Sequence, residues 1–363
     1  MKEKKVTWLE LFYDLLFVAA VATTTTVLLN VEQGHIPFEY LMKFFLMFVP
    51  IWWAWTGQTM FINRFGNDLF YQRIFMIVQM LFVLVMTASL STDFNEYYLP
   101  FLIGYIGLRA LTAIQYLVVH HLNREINNNV AKFLGLFFLV GITISSLSIF
   151  FDSWVRYVIL YAGIAVDMLI PIWGRKHLTK LPTNTSHLLE RFALLTLILF
   201  GESVVSTLSM LEPQRGDWNS ILFSISSFIL ILAMWWQYFD SVEKKINKSI
   251  QTTGQTLVYG HLFILMSLSM IAASLKLLFL NNVNYSFMLY FVFGSVLLYL
   301  TATLIVFHKY RSYQHHFKLY QLSFLLGILL IFFTVNFIVV LPNIMIIWQL
   351  SIFFIVYAKL TSV

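Results

Sequence analysis

Apolar positions along this chain gather in runs of about 20 residues, the length a helix needs to cross a hydrocarbon core of roughly 30 Å. Short polar breaks separate twelve of them: 8–30, 38–62, 70–91, 98–120, 133–150, 154–173, 188–210, 219–240, 256–280, 285–307, 319–340 and 343–360. Only helices and closed barrels satisfy their backbones in lipid, and these runs are far longer than barrel strands. The pattern predicts an all-α integral membrane protein of about twelve transmembrane helices, with loops too short for a soluble domain.

Composition agrees, with 60% hydrophobic, 18% aromatic and only 11% charged residues in 363. The formal charge of +6 does not point to nucleic acid, because the basic residues are scattered among inter-helical loops. They report topology. Sixteen, from Lys2 to Lys359 and including Arg124 and Lys245, fall on the side that holds the N-terminus, against only Arg156 and Arg215 among the acids Glu212 and Asp217 on the other. The positive-inside rule then places both termini in the cytoplasm. A cleavable signal peptide is not expected, since the first run is too long and contains Glu10 and Asp14. Cysteine is absent, which excludes disulfides, thiol catalysis and cysteine-ligated metal. No motif for a metal or another cofactor is present, so none is expected.

A duplication is visible. "YQRIFM" (71–76) lines up with "YGHLFI" (259–264) at an offset of 188, "LTA" (111–113) with "LTA" (300–302) at 189, and Trp52–Trp53 with Trp235–Trp236 at 183. The chain reads as two six-helix repeats, 1–182 and 183–363, forming one membrane domain. Six spans per half is even, so the repeat is parallel. An offset of 188 places "LFYD" (11–14) on "LFGE" (199–202) and pairs Asp14 with Glu202; a rival offset of 180 places "LELF" (9–12) on "LERF" (189–192) and pairs Glu10 with Glu190. The later landmarks favour 188.

Ionisable side chains inside spans cost about 2.5–3.5 kcal/mol each, so they face protein or water and have partners. Asp14 lies roughly 9 Å beyond Trp8, and Glu10 one turn nearer the surface on the same face. Glu202 lies about 18 Å past Glu190, near mid-membrane, with Arg109 at comparable depth and Asp167 at a depth like that of Asp14. Arg109 stays protonated and needs a carboxylate; depth makes Glu202 its first partner and Asp167 its second. These four are transport or gating candidates, with Glu10 and His261 beside them. Each has a plainer account. Glu10, Glu190 and Arg191 suit interfacial caps at helix N-termini; Lys43 and Lys276 suit snorkelling; His261 suits a hydrogen-bonded core residue; a buried network can be purely structural. The hydroxyls of Thr23–Thr26 bond back to their own helix or line a polar path. Trp52, Trp53, Trp55, Trp235 and Trp236 mark interfacial belts, packing or a lining for an apolar or cationic ligand.

"WLELFYDLLFVAAV", "WWAWTGQTMFINRF" with the "ND" and "YQR" that follow it, and "ERFALLTLILFGESVV" together resemble the bacterial low-temperature-requirement A (LtrA) family over about two-thirds of the chain. Glu10, Asp14, Arg64, Arg73, Glu190, Arg191, Gly201 and Glu202 match its pattern, while "NRFGND" carries one acid, Asp68, where a more acidic loop is expected. The resemblance implies a multi-pass architecture and a link to growth in the cold, with no substrate attached. "FYD" (12–14) and "FGE" (200–202) are also similar to the F-S-D motif of the six-helix-repeat lysosomal and bacterial potassium channels, without its central serine.

The expected function is a channel or secondary transporter for a small ion or solute, with a non-transporting protein of membrane organisation or sensing as the alternative. An intramembrane enzyme is not expected, because HExxH, paired-aspartate and metal-ligand motifs are all lacking. The expected partners are the lipid bilayer and that ion or solute, with homo-oligomeric assembly open and nucleic acid excluded.

Overall fold

A computed structural model describes residues 4–122, 128–211, 218–244, 246–311 and 318–362. Of the charges used for topology, Lys2, Arg124, Glu212, Arg215, Asp217 and Lys245 lie outside these residues. Every apolar run is occupied by a helix. The order is α1 (Trp8–Val27), α2 (Phe38–Phe65), α3 (Phe70–Ala88), α4 (Tyr98–Leu122), α5 (Asn128–Leu147), α6 (Ser153–Trp173), α7 (Arg175–Leu178), α8 (Thr185–Leu208), α9 (Trp218–Lys244), α10 (Gln255–Leu280), α11 (Tyr285–Tyr310), α12 (Leu319–Ile338) and α13 (Asn343–Ser362). A 3₁₀ turn, Ser148–Phe150, extends α5. Ten helices among the described residues, rather than twelve, are long and apolar enough to span a membrane by length and composition. The two long helices outside that set, α2 and α8, carry much of the polar site described below. The protein is a multi-pass α-helical membrane protein.

Two compact units divide the chain. The first takes Met1–Thr23, Phe45–Arg191 and Ser249–Val258; the second takes Thr24–Phe44, Phe192–Lys248 and Tyr259–Val363. In the first, α3, α4, α5 and α6 pack each on the next. Lipid gives no hydrophobic drive between helices, so close packing needs small residues. A Cβ on Gly104 would meet the Met86 backbone of α3 at 2.8 Å, and one on Gly163 would meet Ser145 of α5 at 2.3 Å. Ser145 Oγ donates to the Leu160 carbonyl at 3.1 Å across that seam. In the second unit α9 packs on α13 and α11, and α12 on its two neighbours in sequence. Polar side chains there bond across helices: Tyr299 donates to Gln237 Oε1 at 2.9 Å, and Asn336 donates to Gln349 Oε1 at 2.5 Å.

The tryptophans separate by burial. Trp8, Trp154, Trp173 and Trp218 stand exposed at helix ends, as an interfacial belt requires. Trp52, Trp53 and Trp55 are buried, while Trp235 and Trp236 are exposed on α9. The pairs matched by the repeat therefore occupy different environments, and the belt reading does not hold for the α2 set.

Candidate functional site

The site grows from two helix starts in the first unit. Thr7 precedes α1 and forms a capping box with Glu10: Thr7 Oγ1 accepts from the Glu10 amide at 3.3 Å, and Glu10 Oε1 accepts from the Thr7 amide at 3.1 Å. Asn184 precedes α8, and its Oδ1 accepts from the His187 amide at 3.2 Å. Glu10 and His187 therefore hold the same place one turn into their helices. They meet, His187 Nε2 lying 3.1 Å from Glu10 Oε2.

One turn further on, Asp14 meets Arg191. The Arg191 guanidinium grips Asp14 with two nitrogens, Nε to Oδ2 at 3.1 Å and Nη2 to Oδ1 at 2.5 Å, and Nη1 donates to Glu10 Oε2. Trp55 Nε1 adds a bond to Asp14 Oδ1 at 2.6 Å, and its indole ring faces the guanidinium carbon at 5.6 Å. Asp14, Arg191 and His187 are fully inaccessible, and Glu10 is 1% exposed. A guanidinium fork matched to two carboxylates is geometry that lysine could not supply.

The His187 ring is oriented by its neighbours. Asn63 exchanges a pair of bonds with the Asn184 backbone, donating Nδ2 to its carbonyl at 2.9 Å and accepting its amide on Oδ1 at 2.9 Å, which fixes the side-chain amide. Nδ2 also faces His187 Nδ1 at 3.1 Å. With a donor there, Nδ1 accepts and Nε2 faces Glu10 as a donor. Lys4 lies near the cluster, donating Nζ to the carbonyls of Ile62 and of Gly66 (2.6 Å) at the end of α2. Burial pulls the Lys4 amine down to about 8, against the opposing pull of the Glu10 carboxylate.

A second ion pair lies in the same unit. Arg109 Nε donates to Asp167 Oδ2 at 2.7 Å, Trp53 Nε1 donates to the same oxygen at 2.9 Å, and the Trp53 and Phe138 rings flank the guanidinium. Gly57 makes room for it, since a Cβ there would fall 2.0 Å from Arg109 Nη1. This corrects the expectation that Glu202 is the first partner of Arg109. Depth gives only a coordinate along the helix, whereas partnership depends on which helices face each other.

The remaining candidates lie apart. Glu202 belongs to the second unit, partly buried and in electrostatic reach of Lys276. His261 belongs there too, its Nε2 2.8 Å from the Tyr238 hydroxyl and its ring on Phe192, as the core account expects. Arg64 caps loop carbonyls, Thr253 at 2.9 Å and Leu181 at 3.3 Å. Arg73 grips Asp68 at the surface at 2.6 and 2.9 Å, which holds the Asp68 carboxyl below its usual range. Glu190 is exposed, and Gly201 has open space where a Cβ would be. Lys43 bonds Glu39 one turn away at 2.5 Å. Arg191 is not an interfacial cap but the centre of the cluster, and His187 and Trp55 join it; the signal for Arg191 was its place one turn past a capped helix start.

The family model described as Bacterial low temperature requirement A protein (LtrA) matches residues 5–358, and so takes in the whole cluster. The chain belongs to the LtrA family. An uncharacterized protein of Rhizobium meliloti (strain 1021) is 27% identical over 283 residues, which cover 72% of this LtrA chain and 66%, just under two thirds, of that relative. No solved structure matches.

Proposed function

We propose that this LtrA protein moves a small ion or polar solute across a bacterial inner membrane, with both termini cytoplasmic, by coupling movement to the Glu10–Asp14–Arg191 cluster. The supporting observation is that Arg191 is wholly buried and shared between two carboxylates. A buried ion pair is weak evidence for stability, because desolvation offsets the Coulomb gain, and in a membrane such groups are functional by default. A cation shared by two anions has two positions. A proton or small cation arriving at one acid releases Arg191 toward the other, which is the differential contact a coupled transition needs. That favours coupled transport over a passive channel, and it asks no enzymatic step of the chain.

The proposed duplication fits the same geometry. The long helices fall into two runs, α1–α6 and α8–α13, and Thr185 follows Trp8 by 177 residues. The contacts Glu10–His187 and Asp14–Arg191 span that same 177 residues. In this reading each copy of the first helix meets its equivalent, an acid facing a base, and Asp14 corresponds to Arg191 rather than to Glu202.

The test is flux in proteoliposomes under K⁺, Na⁺ and H⁺ gradients, for the native chain, Asp14→Asn and Glu202→Gln. Exchange that depends on pH and is lost in Asp14→Asn but kept in Glu202→Gln supports coupled transport. Conduction that survives Asp14→Asn makes the protein a channel. Gradients that hold in the folded native protein overturn the transport reading and leave the membrane-organising role, which the closed hydrogen-bonding of the cluster also fits.

A further inference from the structure

A cleft of about 210 Å³ opens beside the start of α1 in the first unit, lined by Lys4, Glu10, Gln58, Asn67, Gln72 and Arg73 among others. Its lining reaches from exposed side chains to groups that are almost wholly inaccessible, Glu10 and Gln58. Polar side chains continue inward from there in register. On α4, Gln115, Thr112 and Arg109 recur every three residues and climb about 9 Å. Each has a counterpart on a neighbouring helix. Gln115 exchanges bonds with Gln58 of α2 at 3.0 and 3.4 Å, Thr112 accepts from Gln79 of α3 at 3.1 Å, and Arg109 holds Asp167 of α6. In helices otherwise built of Leu, Phe and Ile, this is a continuous polar seam.

Several buried atoms on that seam lack a hydrogen bond from protein groups: Gln79 Oε1, Asp167 Oδ1 and Arg109 Nη1, whereas Arg109 Nη2 lies 2.6 Å from Asp167 Oδ2. Two tyrosine hydroxyls join them: Tyr105, in electrostatic reach of Asp167 and Arg109, and Tyr13, in reach of Asp14, Arg191 and Arg109. A buried hydroxyl or amide without a partner is costly, and native proteins satisfy such groups with ordered water where donors and acceptors converge. Water is the ligand that fits, since the seam offers both donors and acceptors and little net charge.

We propose that this seam is a water-filled half-channel joining the cleft to the Arg109–Asp167 pair, with the Tyr13 hydroxyl linking it to Asp14. It rests on the transport reading for its purpose but not for its existence. Water supplies the route by which a proton or small polar species reaches either ion pair from one face.

Radiolytic hydroxyl-radical footprinting of the native chain tests it, because radicals generated from bound water label neighbouring side chains even where bulk solvent is excluded. Tyr13 and Tyr105 are expected to oxidise several-fold faster than Tyr299, which is equally buried but donates to Gln237. The absence of cysteine allows a second measurement without background. Gln79→Cys and Thr112→Cys should react with Ag⁺, a probe close to water in size, while Thr303→Cys, equally buried but in the second unit and off the seam, should not. Equal oxidation of the three tyrosines, or cysteines on the seam as inert as the one at 303, overturns the half-channel. Labelling on the seam without flux leaves it standing and removes the transport reading instead; flux without labelling does the reverse.

Discussion

Removing Arg191 is the sharpest perturbation of the cluster. Its three donating nitrogens serve Asp14 twice and Glu10 once, all out of contact with solvent. Arg191→Gln leaves two carboxylates buried beside each other without a counter-charge, and breaking a buried pair in this way costs about 3–5 kcal/mol. Asp14→Asn is milder. Arg191 keeps Glu10, and the Asn carbonyl still accepts from Trp55, so the loss is closer to that of one charge-assisted hydrogen bond, about 1.5–3 kcal/mol. In the double variant one of the two carboxylates that Arg191→Gln would strand is already neutral. A double-mutant cycle should therefore show a coupling of about 2 kcal/mol, the double variant being more stable than the sum of the single losses implies. The assay is reversible unfolding in mixed detergent micelles, followed by tryptophan fluorescence and far-ultraviolet circular dichroism. Additivity of the two changes within about 0.5 kcal/mol would refute the reasoning, because it would mean that Arg191 and Asp14 do not share an interaction in the folded state.

Three further outcomes follow from the packing and the charges. Gly57→Ala drives a Cβ into Arg109 Nη1 and should destabilise by about 1–3 kcal/mol in the same unfolding assay, whereas Gly201→Ala, with nothing within 4 Å, should be neutral or stabilising by about 0.5–1 kcal/mol. Thr7→Ala removes half of the capping box and should cost about 1 kcal/mol, while Thr7→Ser should retain most of it. Lys4 has an amine lowered from 10.5 to about 8 in the folded chain, so between those values the unfolded chain binds more protons and stability rises with pH; the gain is complete above 10.5 and lost as pH falls through about 8. The unfolding midpoint of the native chain should accordingly climb relative to Lys4→Gln between pH 7 and 10, and parallel profiles would contradict the burial of Lys4.

The sequence by itself determined the class and the helices. Runs of about 20 apolar residues leave helix as the solution in lipid, and each expected span is filled by one. It also placed Glu10 at a cap, because T-x-x-E ahead of an apolar run is a local signature whose bonds close within one turn. What it could not supply was the facing of one helix toward another. Position along the spans suggests a similar depth for Arg109 and Glu202, but a guanidinium bonds the carboxylate across its own interface, and that is Asp167 on α6. Arg191 sits so close to the start of α8 that its position reads as interfacial; only the fold brings α1 and α2 over it, removes water, and aims Asp14, Glu10 and Trp55 at it. The seam lies between these cases. Its period of three on α4 is written in the chain, yet Gln58 and Gln79 became its partners only when α2 and α3 packed against that stripe. Local hydrogen bonds and hydropathy depend on neighbours in sequence, while the pairing of buried charges depends on rotation about each helix axis, which tertiary packing alone decides.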